Sequence, residues 1–144
     1  SQIWKIPAEG GAAAQVTRGG GEYAAESWDG SYLYYTKSFL RAGIWRVPVE
    51  GGAETEVFSG PIGGKNWALS TSGVYYFTRT VRGRLREYAI LHLDLESGRV
   101  TELSRKEGPI EFQSGLAVSR DEQWILHREN PLPTSELMLV ENFR

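Results

Sequence analysis

The chain has 144 residues, with 16 basic and 18 acidic side chains, two histidines and no cysteine. A formal charge of −2 excludes a surface built mainly to hold nucleic acid or an anionic membrane. The lack of cysteine excludes disulfides and thiolate metal sites, and no apolar run approaches the roughly 18–20 residues of a membrane-spanning helix.

The first segment, residues 1–18, opens on Ser1-Gln2-Ile3-Trp4, without an initiator Met or a basic-then-apolar leader. It reads as the third and fourth strands of a four-stranded unit in a cut or processed chain. Its run Ile3-Trp4-Lys5-Ile6-Pro7-Ala8-Glu9-Gly10-Gly11-Ala12 returns as Ile44-Trp45-Arg46-Val47-Pro48-Val49-Glu50-Gly51-Gly52-Ala53. Looser copies begin at Ile90 and Leu137, so the starts are spaced by 41, 46 and 47 residues. A second series keeps the same phase: Ala25-Glu26-Ser27, Ala68-Leu69-Ser70 and Ala117-Val118-Ser119 each precede a turn and then an apolar run.

Residues 22–58 make one whole period. Tyr23–Ser27, Tyr32–Lys37, Gly43–Val49 and Glu54–Phe58 read as four strands, with Asp29-Gly30 and Glu50-Gly51-Gly52 as tight turns. The second strand, Tyr32-Leu33-Tyr34-Tyr35, is apolar on both faces, as a sheet stacked between two others requires. The fourth is polar, which suits an outer edge. Residues 66–103 form a second whole period, and residues 112–143 read as the first to third strands of a last one. No window carries a sustained helical apolar pattern. The expectation is therefore an all-β chain, a partial β-propeller of about three four-stranded antiparallel blades.

The Ile-Trp-Lys-Ile-Pro-Ala-Glu-Gly-Gly-Ala motif and the Ser27-Trp28-Asp29-Gly30 turn resemble the bacterial TolB-type, WD-like propeller repeat, in which a Ser-x-Asp-Gly turn leads into an apolar strand ending in Thr. Thr36 and Thr78 stand at that strand end. The resemblance covers essentially the whole chain and implies the C-terminal part of a propeller ring, in a periplasmic or other extracytoplasmic setting. Where this sequence departs from the pattern, the turns are expected to differ. Ser72 replaces the Asp in the second copy and Glu122 the Gly in the third, which predicts another geometry for the third turn.

Three loops are expected to lead from an outer strand to the next inner one: Arg18–Glu22, Ser59–Asn66 and Arg105–Glu111. Near a central channel they would place Glu22, Lys65, Asn66, Glu111 and Gln113, either as a binding mouth or as solvated crossovers. Arg79, Arg82, Arg84 and Arg86 form a basic hairpin that suits an anionic partner, with Arg82, Arg84 and Arg86 expected on one face, or that is simply solvated. His92 and His127 have no partner at ligand spacing, and neither a nucleophile elbow nor a phosphate-binding Gly-rich motif occurs. No catalytic residue, metal ligand or cofactor is assigned.

The functional expectation is a non-catalytic propeller scaffold that binds protein or peptide partners, the sensing or interaction module of a larger bacterial protein. The alternatives are the gating propeller of a serine peptidase or other hydrolase, and the C-terminal sensor of a receptor kinase or winged-helix regulator. Self-association of the chain is expected, because terminal blade faces left bare would exceed the few hundred Å² of apolar patch that soluble monomers tolerate. The missing blades of the same ring are the other partner that would cover them.

Overall fold

The computed structural model describes residues 1–38, 41–83, 85–108 and 110–131, with 110–114 and 131 as backbone only. Every regular element among them is a β-strand. In chain order these are β1 (Trp4–Lys5), β2 (Ala14–Gln15), β3 (Glu22–Glu26), β4 (Tyr32–Thr36), β5 (Ile44–Pro48) and β6 (Thr55–Phe58). They are followed by β7 (Trp67–Leu69), β8 (Gly73–Arg82), β9 (Leu85–Asp94), β10 (Val100–Gly108), β11 (Ile110–Val118) and β12 (Ile125–Pro131). All pairings are antiparallel between sequence neighbours, which gives two four-stranded meanders, β3-β4-β5-β6 and β7-β8-β9-β10, and two two-stranded sheets, β1-β2 and β11-β12. The expected strand of the last unit at Leu137–Val140 lies outside the described residues.

Glycine sets the hairpins where the backbone must turn left-handed. Gly10 and Gly51 sit at equivalent places with φ of 97° and 91°, and each amide donates back to the carbonyl of Pro7 or Pro48. That shared geometry is why the two Glu-Gly-Gly copies read alike in sequence.

The sheets stack face to face, and alternation along each strand assigns side chains to one junction or the next. In the first junction, Tyr35 and Val47 of the β3–β6 sheet meet Val16, with Ile3, Leu33 and Trp45 around them. The opposite face of that sheet sends Tyr34 and Ile44 against Val74, Tyr76 and Leu93 of the next. The far face of β8–β9 then packs Phe77, Tyr88 and Ile90 against Leu116. Both faces of each meander are thus covered, which explains second strands that are apolar on both sides. Full burial of one such Val or Ile is worth about 1.5–3 kcal/mol. Along one edge of the stack β3 lies beside β7, and β7 beside β11, so the first strands of successive units converge as inner strands of propeller-like blades. The blades form an open arc: no strand of one end of the stack pairs with the other among the described residues.

Two expectations are corrected. Arg105–Gly108 is not loop but the end of β10, and β11 begins at Ile110. The charge-rich sequence hides a strand because β10 is an exposed edge paired along its length with β9, where Arg105 bonds Glu87 and Glu102. The third turn also keeps the geometry of the first. The amides of Gly30 and Glu122 each donate to the serine carbonyl three residues back, both at 2.9 Å, and Asp29 and Asp121 accept from Ser27 and Ser119 hydroxyls, both at 2.6 Å. Glu122 adopts φ of 56°, close to the 70° of Gly30, and so holds a left-handed conformation that normally favours glycine. The middle turn is the one that differs: Ser70 and Gly73 close a two-residue loop, shorter than its counterparts.

Candidate functional site

Inner strands β3 and β11 each carry a β-bulge, between Glu22 and Ala24 and between Gln113 and Leu116. A bulge re-aims the side chain it displaces. In β3 that residue is Tyr23, which sits at φ of 32°, a strained value for an aromatic residue, and stays 42 % exposed. Lys65, on the loop into β7, places its Nζ 4.9 Å from the Tyr23 ring centre, while its carbonyl accepts from the Gly115 amide at 3.2 Å. One residue thereby ties three inner strands together. Between them lies a groove of about 230 Å³, floored by Ala24, Ala25 and Ala68 and walled by Tyr23, Lys65 and Trp67. Small side chains leave the floor open to backbone approach, and the aromatic and ammonium groups supply stacking and charge.

Of the residues expected at the channel mouth, Lys65 lines this groove. Glu22 begins β3 opposite Thr36, whose hydroxyl donates to the Glu22 carbonyl at 3.4 Å. Asn66 is half-buried and accepts the Phe77 amide through its carbonyl at 3.0 Å. Glu111 and Gln113 lie on β11 opposite Asn130 and Arg128, and their side chains are outside the described residues. Tyr23, Trp67 and the alanines of the groove are not singled out as site residues by the sequence. Tyr23 reads as an ordinary strand residue, and a bulge in an inner strand leaves no mark in residue type.

The basic hairpin is strand nearly to its tip. Register places Val81 opposite Arg86 and Arg82 opposite Leu85, so Arg82 and Arg86 project from opposite faces. The expected single arginine face is therefore corrected. Arg79 shares a face with Arg86, and Arg84 lies outside the described residues.

A second cluster forms where the turns of the last two units meet. Glu122 reaches across to the middle turn and accepts from the Thr71 hydroxyl, the Ser72 hydroxyl, the Ser72 amide at 3.1 Å and the Tyr75 hydroxyl at 3.1 Å. His92 Nε2 lies 3.0 Å from Ser72 Oγ and its ring tilts against Tyr75, with centres 4.5 Å apart. Burial opposes ionisation of Glu122, but the Ser72, Thr71 and Tyr75 donors outweigh it and hold the carboxyl down at about 2. A serine hydroxyl has one proton, and here it goes to the Glu122 carboxylate; His92 faces that oxygen as a donor and does not activate it as a base. The middle turn has no carboxylate of its own, so the next unit's Glu122 supplies the acceptor.

At the other end of the stack, Glu54 does similar work. It accepts the Arg18 and Gly19 amides at 2.7 and 3.0 Å and pairs with Lys37 Nζ at 2.9 Å, while that ammonium lies 3.8 Å over the Trp45 ring. Burial works against the charge, and these donors overcome it to leave the Glu54 carboxyl at about 2. Among the described residues no group of three His, Cys, Asp or Glu is placed to hold a metal ion, and no helix is long and apolar enough to cross a membrane. No family model matches the chain, and no curated protein matches it.

Proposed function

We propose that the chain is a non-catalytic TolB-like propeller scaffold that binds a protein or peptide segment in the groove at its inner strands. The observation that carries this reading is Tyr23, held in a strained left-handed conformation by a bulge, exposed, and set against Lys65 over an alanine floor. A conformational cost of order 1–3 kcal/mol at a ring left 42 % exposed fits a residue kept for contact. Among the carboxylates held low, Glu54, Glu122 and the turn-capping Asp29, Asp94 and Asp121 are spent on holding a turn or a junction and Glu102 on pairing with Arg105, which supports the scaffold reading.

The test is selection of a random phage-displayed peptide library against the immobilised chain, followed by titration of enriched peptides with Tyr23→Ala and Lys65→Ala. Losing both the aromatic wall and the ammonium is expected to weaken binding tenfold or more. Enriched peptides that bind both variants as tightly as the parent would sink the assignment of the groove, and failure to enrich any would sink the binding role.

A further inference from the structure

The lysines of the chain differ in what they meet. Lys5, Lys37 and Lys106 each pair with a glutamate, Glu50, Glu54 and Glu129, at 3.1, 2.9 and 2.6 Å. Lys65 has no carboxylate partner among the described residues, and its Nζ rests 4.9 Å from the Tyr23 ring centre. Of the described residues that line the inner-strand groove, Lys65 is the one that carries a charge at neutral pH, and no Asp or Glu stands among them. A second donor in the same lining also lacks an acceptor. Trp67 is 7 % exposed, and its indole Nε1 has no hydrogen-bond partner among the described residues. Buried donors are normally paired, so two donor-bearing side chains around one groove call for an acceptor from outside the chain.

The form of that acceptor follows from the backbone. Capture of a terminal carboxylate relies on a nest of free backbone amides, and the Gly115 amide at this groove is already spent on the Lys65 carbonyl at 3.2 Å. The floor of Ala24, Ala25 and Ala68 instead lets an extended segment lie close, with its side chains turned to the walls. We infer that the segment held in this groove is recognised through an aspartate or glutamate side chain, whose carboxylate meets the Lys65 ammonium. The inference rests on the reading of the groove as a peptide site and names what that site selects. Contact with the Tyr23 ring positions the ammonium before the partner arrives, which lowers the ordering cost of binding. The bound segment then shields the pair from water, so it counts for more than an ion pair on open surface.

The test uses short synthetic peptides, capped at both ends and random in neutral residues, in two pools that differ at one central position: Glu in one and Gln in the other. A third pool has the central Gln and a free C-terminal carboxylate. Fluorescence anisotropy measures each pool against wild type, Tyr23→Ala and Lys65→Met, which keeps the aliphatic stem and loses the charge. Wild type should bind the Glu pool about tenfold more tightly than the Gln pool, and the preference should shrink with added salt. It should vanish in Lys65→Met and return in Lys65→Arg, with far-UV circular dichroism checking that each variant keeps its strands. Equal binding of the Glu and Gln pools that still falls with Tyr23→Ala overturns the inference and leaves the peptide groove standing. A free-carboxylate pool that gains as much from Lys65 as the Glu pool overturns it too, in favour of terminal-carboxylate capture. Binding that responds to neither Tyr23→Ala nor Lys65→Met removes the peptide reading, and the inference with it.

Discussion

Glu122 holds two opposed effects in one residue, and substitution can separate them. Its left-handed backbone costs about 1 kcal/mol that a glycine would not incur. Against this stands the latch to Thr71, Ser72 and Tyr75. Lowering of the carboxyl from 4.5 to about 2 sets a ceiling of about 3 kcal/mol on what the latch gives the folded state. The carboxylate is half-exposed, and screening by water reduces that to about 1–2 kcal/mol. Glu122→Gln, which keeps the strain and loses the charge, should therefore lose about 1–2 kcal/mol. Glu122→Ala, without any acceptor, should lose slightly more. Glu122→Gly relieves the strain while losing the latch, and should fall within about 1 kcal/mol below the parent.

Urea unfolding followed by tryptophan fluorescence measures all four forms, and the pH dependence supplies an independent check. A carboxyl whose folded pKa lies below its unfolded one stabilises fully above about 4.5, and that contribution fades as pH falls toward 2. The gap between wild type and Glu122→Gln should thus be widest at neutral pH and narrow from pH 5 to pH 3. A Glu122→Gly form more stable than the parent by the whole glycine increment would show that the latch contributes nothing, and the account of the middle turn would fall with it.

Glu54→Gln should cost about 3 kcal/mol, because it leaves the largely buried Lys37 ammonium without its carboxylate over the Trp45 ring; a melting temperature equal to the parent's would contradict this. The same linkage applies to Glu54, so wild type should lose stability between pH 5 and pH 2, and Glu54→Gln less steeply. Gly73→Ala should cost about 2 kcal/mol or more, since the added Cβ would stand 2.0 Å from the Leu93 carbonyl oxygen and push β8 off β9. Unchanged amide exchange in β8 and β9 of that variant would argue against so close an approach.

Local periodicity determined a great deal by itself. Alternating apolar positions, Glu-Gly-Gly turns and two series sharing one spacing specify antiparallel strands in this order, because strand pairing across a short hairpin involves only neighbouring residues. The strand reading at Tyr32–Thr36 and Ile44–Pro48 follows from that. Where charge rather than hydrophobicity filled a strand, as in Arg105–Gly108, the sequence looked like loop, since an exposed edge strand needs no apolar face. His92 looks isolated in sequence for a related reason: the residue that meets the Ser72–His92 pair is Glu122, 50 positions away from Ser72 along the chain. Tertiary structure alone decided which turn shares its neighbour's carboxylate, that Tyr23 is turned out by a bulge, and that Arg82 and Arg86 part company across the hairpin. Those outcomes depend on how one sheet lies on the next and on register between strands. Residue type sets which side chains can be buried, but stacking decides which of two equivalent tryptophans, Trp45 or Trp4, finds a neighbour to cover it.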